Sequence, residues 1–236
     1  SSIAVAVSPA GGVVVAWGSQ STYDGVEVNS PWSVRAALLR SGAQRFAATQ
    51  LLDPGHEVSS SVAGVSAAIA PSGTATVAWS ELGLAGVRRD PYYGRCYPCP
   101  VRVATSDRRG RFGEPAQVAR NGAALGIATA RDGTTTVLWG LFPPPQPVDD
   151  YVESLDRVFA SRRAPGAARF APPVALSEPQ AIVNGGSLAL EPRSQRLAAV
   201  WSAAPGASPE EGLYDVERVD TLYSAQRGWI RRSRSG

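Results

Sequence analysis

A short apolar run that ends in tryptophan recurs four times along the chain, each time behind a turn. It reads Val13-Val14-Val15-Ala16-Trp17 after Pro9-Ala10-Gly11, and Thr74-Ala75-Thr76-Val77-Ala78-Trp79 after Pro71-Ser72-Gly73. It returns as Thr134-Thr135-Thr136-Val137-Leu138-Trp139 after Arg131-Asp132-Gly133, and as Arg196-Leu197-Ala198-Ala199-Val200-Trp201 after Arg193-Ser194-Gln195. A spacing of about 60 residues between successive tryptophans marks one supersecondary unit used repeatedly. Val and Thr dominate these runs, and Gly or Pro interrupts every window a helix could use, so the pattern predicts strands.

Each run is the second strand, B, of a hairpin whose first strand, A, covers residues 3–7, 65–69, 125–129 and 187–191. A second hairpin follows. Its strand C covers residues 33–38, 101–105, 157–161 and 221–225. A turn with Gly and an aromatic (Phe46, Phe112, Phe170, Trp229) leads to strand D at 49–52, 116–119 and 174–177. Residues 230–236 read as too polar for a good fourth strand D. Strand B is apolar or Thr on both faces, unlike a sheet with water on one side. Strand A carries small residues (Ala4 and Ala6, Ser66 and Ala68, Gly126 and Ala128), as crowding of several sheets near an axis would require. The expected fold is therefore all-β: a β-propeller of four four-stranded antiparallel blades in one domain, near 1–55, 56–120, 121–180 and 181–236. Two closures stand open. Four blades close with a ragged seam, or they belong to a larger ring completed by further blades of a longer parent chain, which is the preferred reading.

The turn after the second strand C reads Thr105-Ser106-Asp107-Arg108-Arg109-Gly110-Arg111-Phe112. It resembles the Asp-box, the Ser/Thr-x-Asp…Gly…Trp/Phe turn of sialidase-type propellers with bacterial neuraminidase repeats. Thr105, Asp107, Gly110 and Phe112 match in type, with the glycine one residue late. Pro115 and Pro173 stand where such repeats often carry proline. The Asp is not repeated: Leu39 and Ser41, then Arg163 and Pro165, take the aligned positions. The resemblance covers the blade layout over nearly the whole chain and the motif once. In that family the box is a folding element far from the active site, so the resemblance implies a fold and says nothing about catalysis.

Composition adds little to this. The 236 residues carry a net charge of +3, all 23 basic residues are arginine, and there is no Met, so a processed chain or an excised fragment is expected. No stretch reads as a signal peptide, and no apolar run is long enough to cross a membrane. Arginine's very high pKa accounts for part of the pI near 9, so nucleic acid is not an expected partner. Cys96 and Cys99 lie in Cys96-Tyr97-Pro98-Cys99. A small-loop disulfide in a secreted or cell-envelope protein is preferred. A redox pair would want a helix start, and a zinc site needs four ligands, whereas His56 is the only imidazole. No metal and no cofactor is expected.

The A–B and C–D turns are mostly short, and the B–C loops are long. Long loops on a rigid scaffold are where binding usually resides. Three B–C loops combine Tyr with carboxylates: Tyr23, Asp24 and Glu27; Tyr151 and Glu153; Tyr214, Asp215 and Glu217. Such groups could hold a sugar, a cation or a basic peptide, or simply pack over blade edges as a solvated face. The second B–C loop offers Arg88, Arg89, Tyr92 and Tyr93 beside the Cys pair, suited to an anionic or sugar ligand or to a pinned surface loop. The opposite end should be arginine-rich, with Arg40, Arg45, Arg108, Arg109, Arg111, Arg162, Arg163 and Arg169 among others. Two functions follow. The first is a non-catalytic module that binds a protein or glycan through the long-loop face. The alternative is a sialidase-like glycoside hydrolase, which would use a Tyr nucleophile activated by Glu, as Tyr151 with Glu153 or Tyr214 with Glu217. A Ser or Cys hydrolase would depend on His56 alone as base, and Asn184-Gly185-Gly186-Ser187 enters a strand and not the helix a phosphate loop needs.

Overall fold

The computed structural model describes residues 2–20, 32–54, 61–82, 99–142, 155–177, 182–191, 194–204, 217–224 and 228–233. Every regular element among them is a strand. Sheet 1 holds β1 (Ser2–Val7), β2 (Val13–Gln20), β3 (Trp32–Leu39) and β4 (Gln50–Asp53). Sheet 2 holds β5 (Ser61–Ile69), β6 (Ala75–Leu82), β7 (Val101–Thr105) and β8 (Ala116–Ala119). Sheet 3 holds β9 (Ala123–Thr129), β10 (Thr135–Leu141), β11 (Arg157–Arg163) and β12 (Val174–Ala175). Sheet 4 holds β13 (Ile182–Leu190), β14 (Leu197–Ala204), β15 (Glu217–Ser224) and β16 (Gly228–Ser233). In each sheet consecutive strands are hydrogen-bonded neighbours, so the four A–B–C–D meanders expected from the repeat are present. The chain divides into two compact units, Ser1–Ala124 with sheets 1 and 2, and Leu125–Gly236 with sheets 3 and 4 apart from the start of β9.

One expectation is corrected. The tail after Trp229 does form strand D, because β16 pairs with β15 from Ser224↔Gly228 to Val219↔Ser233. An outermost strand needs a free backbone more than apolar side chains, and charged residues suit an edge. Strand ends differ elsewhere by a few residues. β5 starts at Ser61 and continues through a bulge between Ala63 and Val65, where Gly64 takes a positive φ of 69°.

Within the first unit the register sorts the side chains. Ala4, Ala6, Val14, Ala16, Val34 and Ala36 share one face of sheet 1, and Val65, Ala67, Ile69, Ala75, Val77 and Trp79 share one face of sheet 2. These two faces pack into a single apolar cluster with Leu38, Leu52 and Phe112. Trp79 is fully buried in it, and its indole N–H donates to Oδ2 of Asp53, the last residue of β4, at 3.0 Å. The tryptophan of one sheet is thereby tied to the outer strand of its neighbour. In the second unit the innermost strands come so close that a Cβ on Gly126 would lie 2.8 Å from the backbone N of Leu188. Only glycine permits that approach.

The Asp-box expectation is met in geometry. Asp107 Oδ1 accepts the backbone N–H groups of Arg109 and Arg111 at 2.8 and 2.9 Å, and Gly110 takes φ 81°. Gln50 of sheet 1 grips the same turn: its Nε2 donates to the Gly110 carbonyl at 2.7 Å and its Oε1 accepts the Phe112 N–H at 2.9 Å. The Arg111 N–H does most to hold the Asp107 carboxyl below its usual pKa, partial desolvation opposes it, and the Arg109 N–H and Arg111 guanidinium add to the lowering.

Two predictions follow from these contacts. Asp53→Ala leaves the buried Trp79 indole N–H without this acceptor, so urea denaturation should show a loss of about 1–3 kcal/mol; an unchanged midpoint would contradict it. The lowered Asp107 pKa gives stability that is present above the ordinary carboxylate pKa and is lost as pH falls through the lowered folded value. Asp107→Ala should therefore melt earlier than wild type at neutral pH, and the gap should narrow in acid. A gap independent of pH would refute the carboxylate's role.

Candidate functional site

Tyr23, Asp24, Glu27, Arg88, Arg89, Tyr92, Tyr93, Cys96, Tyr151, Glu153, Tyr214 and Asp215 lie outside the described residues. Glu217 opens β15, in register with Ala203. Cys99 is buried, and the pairing expected of it with Cys96 falls outside the described residues as well. What the structure gives for the long-loop end is the set of supports from which those loops leave.

In the first unit Gly12 lies against Ile69, and Gly110 lies against Leu38. The A–B turn of sheet 1 and the C–D turn of sheet 2 thus sit where the two sheets' short turns adjoin. The connections from Gln20 to Trp32 and from Leu82 to Val101 then leave at the opposite end. Their supports are hydrogen-bonded. Ser80 Oγ accepts the Ala124 N–H at 2.6 Å. Asn121 Oδ1 accepts the Cys99 N–H at 3.0 Å, and the Cys99 carbonyl accepts the Gly122 N–H at 2.8 Å. The loop that carries the Cys motif therefore ends on a fixed, buried residue.

The second unit repeats this division. At the long-loop end Leu155 and Val183 exchange both backbone hydrogen bonds, at 3.2 and 2.9 Å, and join sheet 3 to sheet 4 directly. Leu155 packs over Gly140 so closely that no Cβ fits there. Beside it Trp139 stacks on Phe159 with ring centroids 4.7 Å apart, and Arg157 lies over Phe159 at 5.6 Å while donating to the Ser177 carbonyl at 3.1 Å.

At the short-turn end of this unit is a cavity of about 390 Å³ lined by Arg131, Asp132, Thr134, Thr136, Arg162, Gln195 and four aliphatic side chains. Asp132 is occupied locally, since Thr134 donates its N–H to Oδ1 at 2.8 Å and its hydroxyl to Oδ2 at 3.0 Å. Gln195 has φ 56° in the turn position that Gly11, Gly73 and Gly133 fill elsewhere. Its Oε1 accepts the Arg131 N–H at 2.6 Å, which links the two A–B turns across the cavity. Arg163, next to Arg162, rests on the Phe170 ring at 5.1 Å, and burial lowers its pKa without discharging a guanidinium. Of the arginines expected near the short turns, Arg40, Arg45, Arg108, Arg109 and Arg111 are exposed in the first unit; in the second, Arg169 is exposed while Arg162 and Arg163 are half-buried. Sequence reading missed Gln195, although a non-glycine in a turn that otherwise uses glycine was the available signal. Among the described residues no group of His, Cys, Asp and Glu could hold a metal ion.

No family model and no curated protein matches the sequence. Solved structures do match the fold. A NanB sialidase variant from Streptococcus pneumoniae aligns with a TM-score of 0.59 at 7% identity, over 100% of this chain and 52% of that one. The intramolecular trans-sialidase from Ruminococcus gnavus aligns with a TM-score of 0.59 at 7% identity, over 100% of this chain and 70% of that one. A xylan β-1,4-xylosidase from Bacillus halodurans gives 0.55 at 10% identity, over 99% and 42%. The chain spans about half the length of the NanB structure. It has a sialidase-like β-propeller fold, and at such identities the likeness is one of fold alone.

The strain at Gln195 is testable. A side chain at positive φ costs about 1 kcal/mol relative to glycine. Gln195→Ala and Gln195→Gly both lose the bond to Arg131, so the Gly variant should be the more stable of the two by that amount in thermal melts. Equal midpoints would show that the turn relaxes freely.

Proposed function

We propose that this chain is a binding module that recognises a protein or a glycan through its long-loop end. The observation that carries the reading is the asymmetry of the sheets within each unit. One end is closed by tight hydrogen-bonded turns and linked across sheets by Gln50 or Gln195. The other end sends out long B–C connections from rigid, buried supports. Diverse loops on an invariant scaffold suit recognition. Tyr23, Asp24, Glu27, Arg88, Arg89, Tyr92 and Tyr93 are the first residues to test in one half, and Tyr151, Glu153, Tyr214, Asp215 and Glu217 in the other. Export to the cell envelope or beyond, with Cys96 paired to Cys99, fits the same reading.

The second reading is a glycoside hydrolase. It is favoured by the fold shared with sialidases and a xylosidase. Tyr151 with Glu153, or Tyr214 with Glu217, would supply nucleophile and base.

Both readings meet in one experiment. The chain is applied to an array of sialylated and neutral glycans and, in parallel, incubated with an aryl α-sialoside. The binding reading expects retention without release of the aryl alcohol, and at least a tenfold weaker affinity, about 1.4 kcal/mol, on Tyr92→Ala or Tyr151→Ala. Steady release that Tyr151→Phe or Tyr214→Phe abolishes would replace it with the hydrolase.

A further inference from the structure

Positive charge gathers at two adjoining short turns of the first unit. The C–D turn of sheet 1 carries Arg40 and Arg45, and the C–D turn of sheet 2 carries Arg108, Arg109 and Arg111, all exposed. Between Arg40 and Phe46, and between Ser106 and Phe112, the one acid is Asp107. Its Oδ1 accepts two backbone N–H groups of its own turn, and its Oδ2 lies 3.4 Å from Nε of Arg111. The next acid, Glu114, is exposed beyond Phe112. Five arginines against one carboxylate thus sit in two turns of a chain whose whole net charge is +3.

The two turns are fixed against each other. Nε and Nη2 of Arg40 lie 3.6 Å from where a Cβ on Gly110 would stand, and Leu38 packs on the same glycine. Gln50 holds the Gly110 carbonyl and the Phe112 N–H from sheet 1. Ser41 donates its hydroxyl to the Ala10 carbonyl, and Ser106 exchanges hydrogen bonds with Ala75. The backbone under the arginines is therefore set in advance, which lowers the ordering cost of binding.

The other side chains of the two turns point to the class of partner. Arg40-Ser41-Gly42-Ala43-Gln44-Arg45 and Asp107-Arg108-Arg109-Gly110-Arg111 hold no aliphatic side chain larger than Ala and no aromatic. A protein partner wants an apolar or aromatic centre to its interface. A membrane surface wants an apolar face beside the charge. Single-stranded nucleic acid wants aromatic plates for its bases. An acidic polysaccharide needs none of these: its oxyanions suit the planar, two-pronged guanidinium, and its hydroxyls suit Gln44. We propose that the two turns form a second binding surface, at the end opposite the long loops, for an acidic polysaccharide.

Titration of fluorescent fragments of polygalacturonate, dextran sulfate and neutral dextran with the full chain, over roughly 1–100 μM, tests it. At least one charged polymer should bind, and its identity names the preferred anion; neutral dextran should not. Affinity should fall as salt rises from about 0.05 to 0.3 M, because exposed charges are screened. Combining Arg45→Gln, Arg108→Gln and Arg109→Gln should weaken binding about tenfold, since each exposed ion pair contributes modestly. Arg109→Gln keeps the backbone N–H that Asp107 accepts, and Arg40 and Arg111 stay in place, so thermal melts should match wild type. Arg108→Glu alone serves if the triple variant does not fold. No binding of either charged polymer would overturn the proposal. Binding that survives the triple variant but is lost in Arg88→Ala with Arg89→Ala would overturn it in favour of the long-loop end. Tighter binding of oligothymidylate or of phosphatidylserine vesicles, abolished by the triple variant, would overturn it in favour of that partner.

Discussion

A sheet that is apolar on both faces must be covered on both. That constraint governs this chain more than any single contact. β6 and β10 are buried along most of their length, with Val77, Trp79, Val137 and Leu138 at or near zero exposure. Hydrophobic burial of this kind is non-directional, so it brings sheets together without choosing their alignment. Alignment comes from polar links set into the apolar contact. Trp79 reaches Asp53, and Gln50 holds the Asp107 turn from the neighbouring sheet. A buried indole N–H or a turn carbonyl left unmatched is costly, so these links reject slipped arrangements more than they add net stability.

Close stacking then decides where variation is allowed. Gly126 faces the backbone of Leu188, and Leu155 exchanges backbone hydrogen bonds with Val183, so the sheets of the second unit touch at both their inner strands and their loop-bearing ends. Nothing bulky can enter at those points. This close packing, and not any motif, fixes the strands from which the B–C connections depart. The sialidase-like fold of distant structures supplies a scaffold of the same type, and a scaffold does not carry its chemistry with it.

Much of the fold was legible because its signals are local. A Gly-containing turn, an apolar run and a terminal Trp identify strand B wherever they occur, and β7 and β8 begin and end where the pattern places them. The Asp107 turn was legible for the same reason, since its hydrogen bonds span only a few residues. Strand β16 was not, because polarity says little about an edge strand that uses its backbone. Gln50 was missed because its partners lie about a whole repeat away in sequence. The candidate site is the least legible part: Tyr23, Arg88 or Glu153 can be named as chemistry, but convergence of side chains from separate loops is a property of three dimensions. The apolar pattern on both faces of strand B is met unevenly in sheet 1, where Val14 and Ala16 are fully buried while Val13, Val15 and Trp17 are half-buried and border the exposed row of Ile3, Val5 and Val7.

The central claim is that identical strand patterns meet different fates according to whether a neighbouring sheet covers them. Carbene footprinting of the dilute chain, read residue by residue by mass spectrometry, measures this directly. The account predicts heavy labelling at Ile3, Val5 and Val7 and protection at Val65, Ala67 and Ile69, which occupy the same positions in sheet 2. Equal labelling of the two rows would contradict it.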